Sequence, residues 1–170
     1  MTSSKNSFKL LYLLNQRFPT EKAYGIQTAK MCEAFSKAGC ETKLVFPFRI
    51  SKVKENPFAY YDIGRIFKTR RLFTIDFYLP GSLDRVSFLI KNLISALALT
   101  AYAVFQEADI IYSRDELPLY FLSFFKSNLV FEGHKFHQSK SFLYRRFKSQ
   151  GTKLVVISSA LKDKFVKLGF

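Results

Sequence analysis

The chain has 170 residues, of which 48% are apolar and 17% aromatic, with 20 Phe and no Trp. That composition excludes a disordered polar chain, and the length fits one domain or a part of a larger protein. The 27 Lys and Arg against 13 Asp and Glu give a formal net charge of +14. Such a charge favours anionic partners such as nucleotides, phosphorylated lipids, acidic membranes or nucleic acid, without choosing among them.

The amino-terminal apolar run and the two cysteines indicate a cytoplasmic protein. The run at residues 8–14 ends at Asn15 with no small-residue cleavage site after it, which favours a core strand over an export signal. Cys32 and Cys40 have no C-x-x-C pattern around them. We therefore expect reduced thiols.

The first third of the chain predicts a strand–helix–strand unit. The continuous apolar run FKLLYLL (8–14) is typical of a strand buried on both faces. The segment 25–39 has an apolar stripe at helical spacing, with Gly39 where a helix C-cap belongs. ETKLVFPF (41–48) predicts a second strand. The short joints favour a parallel, right-handed crossover.

The middle of the chain is less regular. Residues 49–81 are basic and aromatic with interspersed Pro and Gly, and we expect mostly loop, with a further strand at LFTIDFYL (72–79). A long helix is predicted over 82–108, with Ser82 as its N-cap.

From residue 109 onwards strands and helices alternate. The predicted strands are DIIYS (109–113), NLVFE (128–132) and KLVVIS (153–158), and the predicted helices are ELPLYFLSFF (116–125), QSKSFLYRRFKSQG (138–151) and ALKDKFVKLG (160–169). The fold class that follows is α/β: a doubly wound, mainly parallel Rossmann-like sheet of six or seven strands with helices on both faces. Ligands of such sheets gather outside the carboxyl ends of the strands, so residues 15–25, 113–115, 132–134 and 158–159 should share one rim.

The long helix and the basic segment before it each have more than one interpretation. Residues 88–105 carry one charge, Lys91, and approach the roughly 20 apolar residues of a membrane span. Polar and small residues dilute the segment, which favours a buried core helix; a spanning helix and an interfacial helix remain alternatives. The basic and aromatic stretch 64–73 is either a solvated loop or a surface that rests on an anionic bilayer.

Four segments, in order, resemble family 4 glycosyltransferases, the retaining enzymes of the GT-B fold. They are FPTEKAYGIQTAKMCEAFSKAGCETKLVFP (18–47), ADIIYSRDE (108–116), LVFEGHKFH (129–137) and KLVVISSALKDKFVKLGF (153–170). The resemblance implies that residues 1–170 form the Rossmann-like, acceptor-side domain of such an enzyme, without the donor-binding domain and inactive alone. It also implies a nucleotide-diphosphate sugar as co-substrate, a glycan or lipid-linked acceptor, and neither a cofactor nor a catalytic metal. The expected location is the cytoplasm, with peripheral contact at the inner face of the membrane as an open question.

The resemblance assigns catalytic roles to Glu132 and His134, with His134 at the cleft beside the sugar or acceptor. The alternatives are a surface histidine without a role, or a metal site of Glu132, His134 and His137, since imidazole and carboxylate suit zinc. The ligand set is incomplete for such a site, and we expect His137 to be inert.

Four residues are expected at the substrate. Tyr24 and Gly25 lie where a helix start offers free N–H groups to a phosphate, unless Gly25 merely eases the turn. Arg114 can bind a carboxylate or phosphate, or form an ion pair with Asp115 or Glu116. Ser158 faces the domain boundary or, the better interpretation, caps the following helix.

Two rival functions follow from the same residues. Cations and aromatics interleave at 65–73 and 142–150, which suits a nucleic-acid or anionic-membrane binding module without catalysis. No RNA-binding signature accompanies them, so we expect no nucleic-acid partner. A Rossmann dehydrogenase is disfavoured because the first loop lacks G-x-G-x-x-G.

Overall fold

The computed structural model describes residues 7–77, 80 and 83–170. The strands are β1 (Lys9–Leu13), β2 (Glu41–Pro47), β3 (Lys68–Leu72), β4 (Ile110–Ser113), β5 (Leu129–Gly133) and β6 (Lys153–Val156). The helices are α1 (Ala23–Lys37), α2 (Pro57–Tyr60), α3 (Asp84–Val104), α4 (Glu116–Leu122), α5 (Ser141–Ser149), preceded by a 3-10 turn at Gln138–Lys140, and α6 (Ser159–Lys167).

The six strands form one parallel sheet in the order β3-β2-β1-β4-β5-β6. This is a doubly wound Rossmann-like order, and its direction reverses between β1 and β4. The predicted α/β fold class is confirmed.

The prediction of a strand at 72–79 was wrong in position. The strand lies at Lys68–Leu72, inside the segment expected to be loop, and residues 73–77 have no strand structure; Tyr78 and Leu79 lie outside the described residues. β3 is an edge strand whose first four side chains are exposed. It is held on β2 by backbone pairing and by an exposed ion pair between Lys68 and Glu41. A strand of that kind leaves no apolar pattern in the sequence.

Side chains alternate across the sheet and build one core on each face. The first contains Leu10, Tyr12 and Leu44 of the strands with Ala29 and Cys32 of α1. The second lies under α3 to α6, and its buried members include Leu11, Leu13, Val45, Leu99, Leu119, Phe131, Tyr144, Phe147 and Phe165. Helices therefore cover both faces.

Helix α3 is buried along one stripe only. The buried residues follow the i+4 row Ser87, Lys91, Ser95, Leu99 and Ala103, together with Ala96 and Thr100. A buried core helix was the favoured prediction; the structure buries one side of the helix, and the opposite face is exposed and apolar. Within the described residues, Asp84–Val104 is the one helix long and apolar enough to cross a membrane, a weak indication by itself. The predicted cap Ser82 lies outside the described residues.

Candidate functional site

The carboxyl ends of β1 and β4 meet where the strand order reverses. There the backbone N–H of Asn15 donates to Asp115 Oδ2 at 2.6 Å, and Gln16 Nε2 donates to Asp115 Oδ1 at 2.9 Å. Burial raises the pKa of the Asp115 carboxyl above its usual value. Asp115 therefore ties together the two loops that border the site.

The Glu132–His134 pair lies at the carboxyl end of β5. Glu132 Oε1 and His134 Nε2 are 2.6 Å apart, and the Glu132 residue is 4% exposed. Tyr12 Oη, from the middle of β1, donates to Glu132 Oε2 at 3.4 Å. Burial together with the charge of Glu132 raises the pKa of Tyr12. The Tyr12 phenol therefore contacts one oxygen of the Glu132 carboxylate, Oε2, and the His134 imidazole contacts the other, Oε1.

Gln27 of α1 connects this pair to Arg114. Its Oε1 accepts from Arg114 Nη1 at 3.0 Å, and its Nε2 lies 3.4 Å from Glu132 Oε1 and 3.5 Å from His134 Nε2. No carboxylate among the described residues lies within 4.0 Å of the Arg114 guanidinium, so the alternative of an ion pair with Asp115 or Glu116 is not realised. The first turns of α1 therefore lie on the same rim as His134, as the sequence predicted.

A wide groove of about 960 Å³ opens beside this cluster. It runs between the loop after β1, the amino-terminal half of α3, the start of α4 and the segment after β5. Its cationic wall residues are Arg17, Lys22, Arg49, Arg85, Lys91, Lys135 and Lys140, against the acidic Asp84, Asp115 and Glu116. The groove therefore suits an elongated ligand that carries negative charge.

The side chain of Asn15 forms part of the wall of this groove. Asn15 is 6% exposed, and its Nδ2 donates to the carbonyl of Asn92 at 3.1 Å. Its Oδ1 is buried and finds no hydrogen-bond partner among the described residues. A buried acceptor without a partner is unusual and costs free energy.

Tyr24 and Gly25 have different surroundings. Tyr24 lines the groove, and its hydroxyl donates to the carbonyl of Arg17 at 3.2 Å. Gly25 is buried inside the first turn of α1, which begins two residues earlier than the sequence indicated. A Cβ at Gly25 would come within 3.0 Å of the Tyr61 hydroxyl and of Thr20. The glycine therefore permits close packing of α1 against Thr20 and Tyr61; its predicted contact with a phosphate stays a prediction.

Ser158 caps α6. Its Oγ accepts from the backbone N–H of Leu161 at 3.3 Å, which confirms the interpretation that the sequence favoured. The predicted role of Ser158 at a domain boundary stays untested.

His134 does not line the groove, whereas its neighbours Lys135 and His137 do. The position of His137 in the wall does not test whether it is inert, which stays a prediction. The described residues contain no group of three His, Cys, Asp or Glu able to hold a metal ion.

Sequence reasoning missed Gln27, Tyr12 and Arg49. Gln27 lies on a predicted amphipathic helix and Tyr12 on a predicted core strand. No neighbouring residue in the sequence marks Gln27 as different from a solvent-exposed residue, or Tyr12 as different from a packed core residue. Arg49 Nη2 donates to Asn92 Oδ1 and to Ser95 Oγ, both at 2.8 Å. The polar positions of the long helix were the available signal for this contact.

No protein-family model matches the chain, and no curated protein matches it. Among solved structures, the C-terminal domain of a hydrogenase from Pyrococcus furiosus is similar, with a TM-score of 0.44 and 8% sequence identity. The alignment covers 89% of this chain and 91% of that domain. At this level the likeness carries no inference about what this chain binds.

Proposed function

We propose that the chain is the acceptor-side domain of a retaining glycosyltransferase that moves a sugar from a nucleotide-diphosphate sugar to a glycan or lipid-linked acceptor. One observation carries the proposal: the 2.6 Å Glu132–His134 pair lies at the carboxyl end of β5, one strand away from the strand-order reversal and next to a cationic groove. The resemblance in four ordered segments supports the same function.

The pair is suited to handle the acceptor hydroxyl. With Nε2 of His134 donating to the buried carboxylate of Glu132, Nδ1 keeps its lone pair and can accept a hydrogen bond from a sugar hydroxyl. Gln27 and Arg114 limit the movement of the pair from the α1 side. Positioning of this kind is the main contribution that a protein makes when a diphosphate departs as the acceptor approaches.

The groove is suited to the charged part of the substrates. Lys135 lies just after β5 and Lys140 at the end of the 3-10 turn, and Arg17 and Lys22 lie before and at the start of α1. Cations on two sides of an open channel attract a phosphate or diphosphate group from solution. A lipid-linked acceptor that carries a diphosphate fits this arrangement.

The direct test is transfer by the protein expressed from its native gene, with radiolabelled nucleotide sugars and a membrane extract as the acceptor source. We expect label to enter the acceptor fraction from one donor. His134→Ala should lower the rate at least about tenfold, within the range of an acid–base group, and Glu132→Gln should act in the same direction.

Lys162→Ala, an exposed change on α6, is the control and should keep the wild-type rate. No transfer from any donor by the wild-type protein would contradict the proposal. An unchanged rate in His134→Ala would remove His134 from the site.

A further inference from the structure

Helix α3 presents an apolar face to the outside of the molecule. Val86, Ile90, Leu93 and Leu97 recur at spacings of four, three and four, so they form one stripe along the helix. Together with Leu89 and Ile94 beside them they are 37–61% exposed. We call these six residues the outer face of α3.

An ordinary surface helix turns its apolar side chains towards the core and its polar side chains towards solvent, and the amino-terminal half of α3 does the reverse. Its polar residues point inwards: Lys91 Nζ lies 3.2 Å from Asp76 Oδ1, and both side chains are at most 3% exposed. Ser95 accepts from Arg49. These contacts fix which side of the helix faces outwards. They also hold it on the sheet, because a spanning helix would have to break the buried ion pair.

The segment before α3 carries further exposed apolar side chains. Phe73 is 90% exposed and Ile75 60% exposed, and they flank Thr74, which is tied to β2 by a hydrogen bond to the carbonyl of Phe48 at 2.9 Å. Exposed aromatic and aliphatic side chains in such numbers mark an interaction surface rather than ordinary solvent exposure.

Three cations lie on the same side of the sheet as α3 or in its first turn. Arg70 pairs with Val45 in the sheet, and Val45 belongs to the core under α3, so Arg70 is on the same side of the sheet as the helix. Lys68, two positions earlier, shares that side and also pairs with Glu41 at 2.7 Å. Arg85 lies in the first turn of α3. All three side chains belong to exposed residues.

We propose that the outer face of α3, with Phe73 and Ile75, lies in the interface of an anionic lipid bilayer. A helix with its apolar face buried at headgroup level and with cations beside it is the arrangement that binds such a surface. A second copy of the chain would also carry a net charge of +14, so electrostatic repulsion opposes self-association.

Docking in this orientation brings the groove close to the membrane, because α3 forms part of both surfaces. Arg85, Phe88 and Asn92 line the groove from the side of α3 opposite to the outer face, so lipid headgroups would lie one helix diameter, roughly 10 Å, from its mouth. This consequence rests on the proposed function and indicates that the acceptor is lipid-linked. The docking itself needs no sugar transfer, so the two can fail separately.

Vesicle co-sedimentation of the 170-residue chain tests the docking. We expect binding to phosphatidylcholine vesicles that contain about 30% phosphatidylglycerol, and much weaker binding to pure phosphatidylcholine or at high salt. Arg70→Gln and Arg85→Gln should each weaken binding about fivefold, the equivalent of one cation near the surface. Lys162→Gln with Lys164→Gln, exposed on α6, is the matched charge control.

The apolar contribution is tested with Leu93→Gln/Leu97→Gln, which should weaken binding more than about tenfold. Ile26→Gln/Val166→Gln removes two equally exposed aliphatic groups from α1 and α6 and should leave binding unchanged. Circular dichroism of each variant confirms that it is folded.

A tryptophan reporter fixes the orientation, because the chain contains no Trp. Emission from Leu93→Trp should shift to the blue and be quenched by brominated lipids, whereas Val166→Trp should show neither effect. Absence of vesicle binding overturns the proposal, as does equal binding by the Leu93/Leu97 variant. A dimer in sedimentation equilibrium that this variant dissociates, without vesicle binding, would assign the face to self-association.

Discussion

Gly25 was predicted to lie in a ligand-binding turn, because it follows the first strand and precedes a helix. The structure gives the glycine a packing requirement, since the Tyr61 hydroxyl accepts from and donates to the backbone of Thr20 at 2.7 Å directly beside it. Thr20 and Tyr61 are about 40 residues apart in the sequence, so no local sequence pattern predicts their contact.

Gly25→Ala should therefore destabilise the fold. The added Cβ has no room beside Tyr61 and Thr20, and overpacking of this kind costs about 1–3 kcal/mol in the free energy of unfolding. Urea denaturation measures it. Gly64→Ala, where the nearest atom would be 3.5 Å away, is the matched control; equal stability of the two variants would show that the contact with Tyr61 yields easily.

Gln27 is a site residue that the sequence did not predict. It bonds to Arg114 and approaches Glu132 and His134, yet in the sequence it is one polar residue of an amphipathic helix. Its role follows from the placement of the α1 start beside the end of β5, which only the sheet order decides.

At the scale of elements, α3 and β3 both depart from the expected apolar pattern. The apolar positions of α3 are too many for one buried face, so composition alone could not separate a core, spanning or interfacial helix. β3 has too few apolar residues to be predicted as a strand. Most of its side chains are exposed and cationic, although its backbone pairs with β2.

The buried pair under α3 yields a stability prediction. Lys91→Met should cost about 3–5 kcal/mol in the free energy of unfolding, because Asp76 would remain buried without its cation. Adding Asp76→Asn to that variant should recover much of the loss. Lys30→Met removes a 3.8 Å pair between an exposed lysine and Glu33, which keeps its pair with Lys37; it should cost less than about 1 kcal/mol.

Chemical denaturation of the wild type, Lys91→Met, Lys91→Met/Asp76→Asn and Lys30→Met measures the four free energies of unfolding. A loss from Lys91→Met no larger than that from Lys30→Met would mean that the Lys91–Asp76 contact is weak in solution. The helix could then turn its polar side outwards, and the docking orientation inferred above would lose its anchor.

At the scale of the whole molecule, burial is concentrated at the centre of the sheet. β1 and β4 are flanked by strands on both sides, and most of their residues are buried, whereas β3 and β6 are edges with mainly exposed or half-buried side chains. The site lies at the carboxyl ends of the central strands, which are the most buried part of the sheet.

Hydrogen exchange should follow this arrangement. We expect the slowest amides in β1 and β4 and the fastest strand amides in β3 and β6, because edge strands open without global unfolding. Mass spectrometry of exchanged peptides measures the order. Protection of β3 equal to that of β1 would contradict it and would suggest that another surface covers the edge.

The alternation of strands and helices, the doubly wound class and the edge on which polar residues gather all follow from local features of the amino-acid sequence. Apolar runs and helical stripes are local patterns, and parallel connection then fixes the rim. Three further features became visible only in the folded chain: Gln27 bridges Arg114 to the Glu132–His134 pair, Lys91 turns inwards, and the outer face of α3 is exposed. These depend on contacts between residues far apart in the chain, which local patterns do not encode.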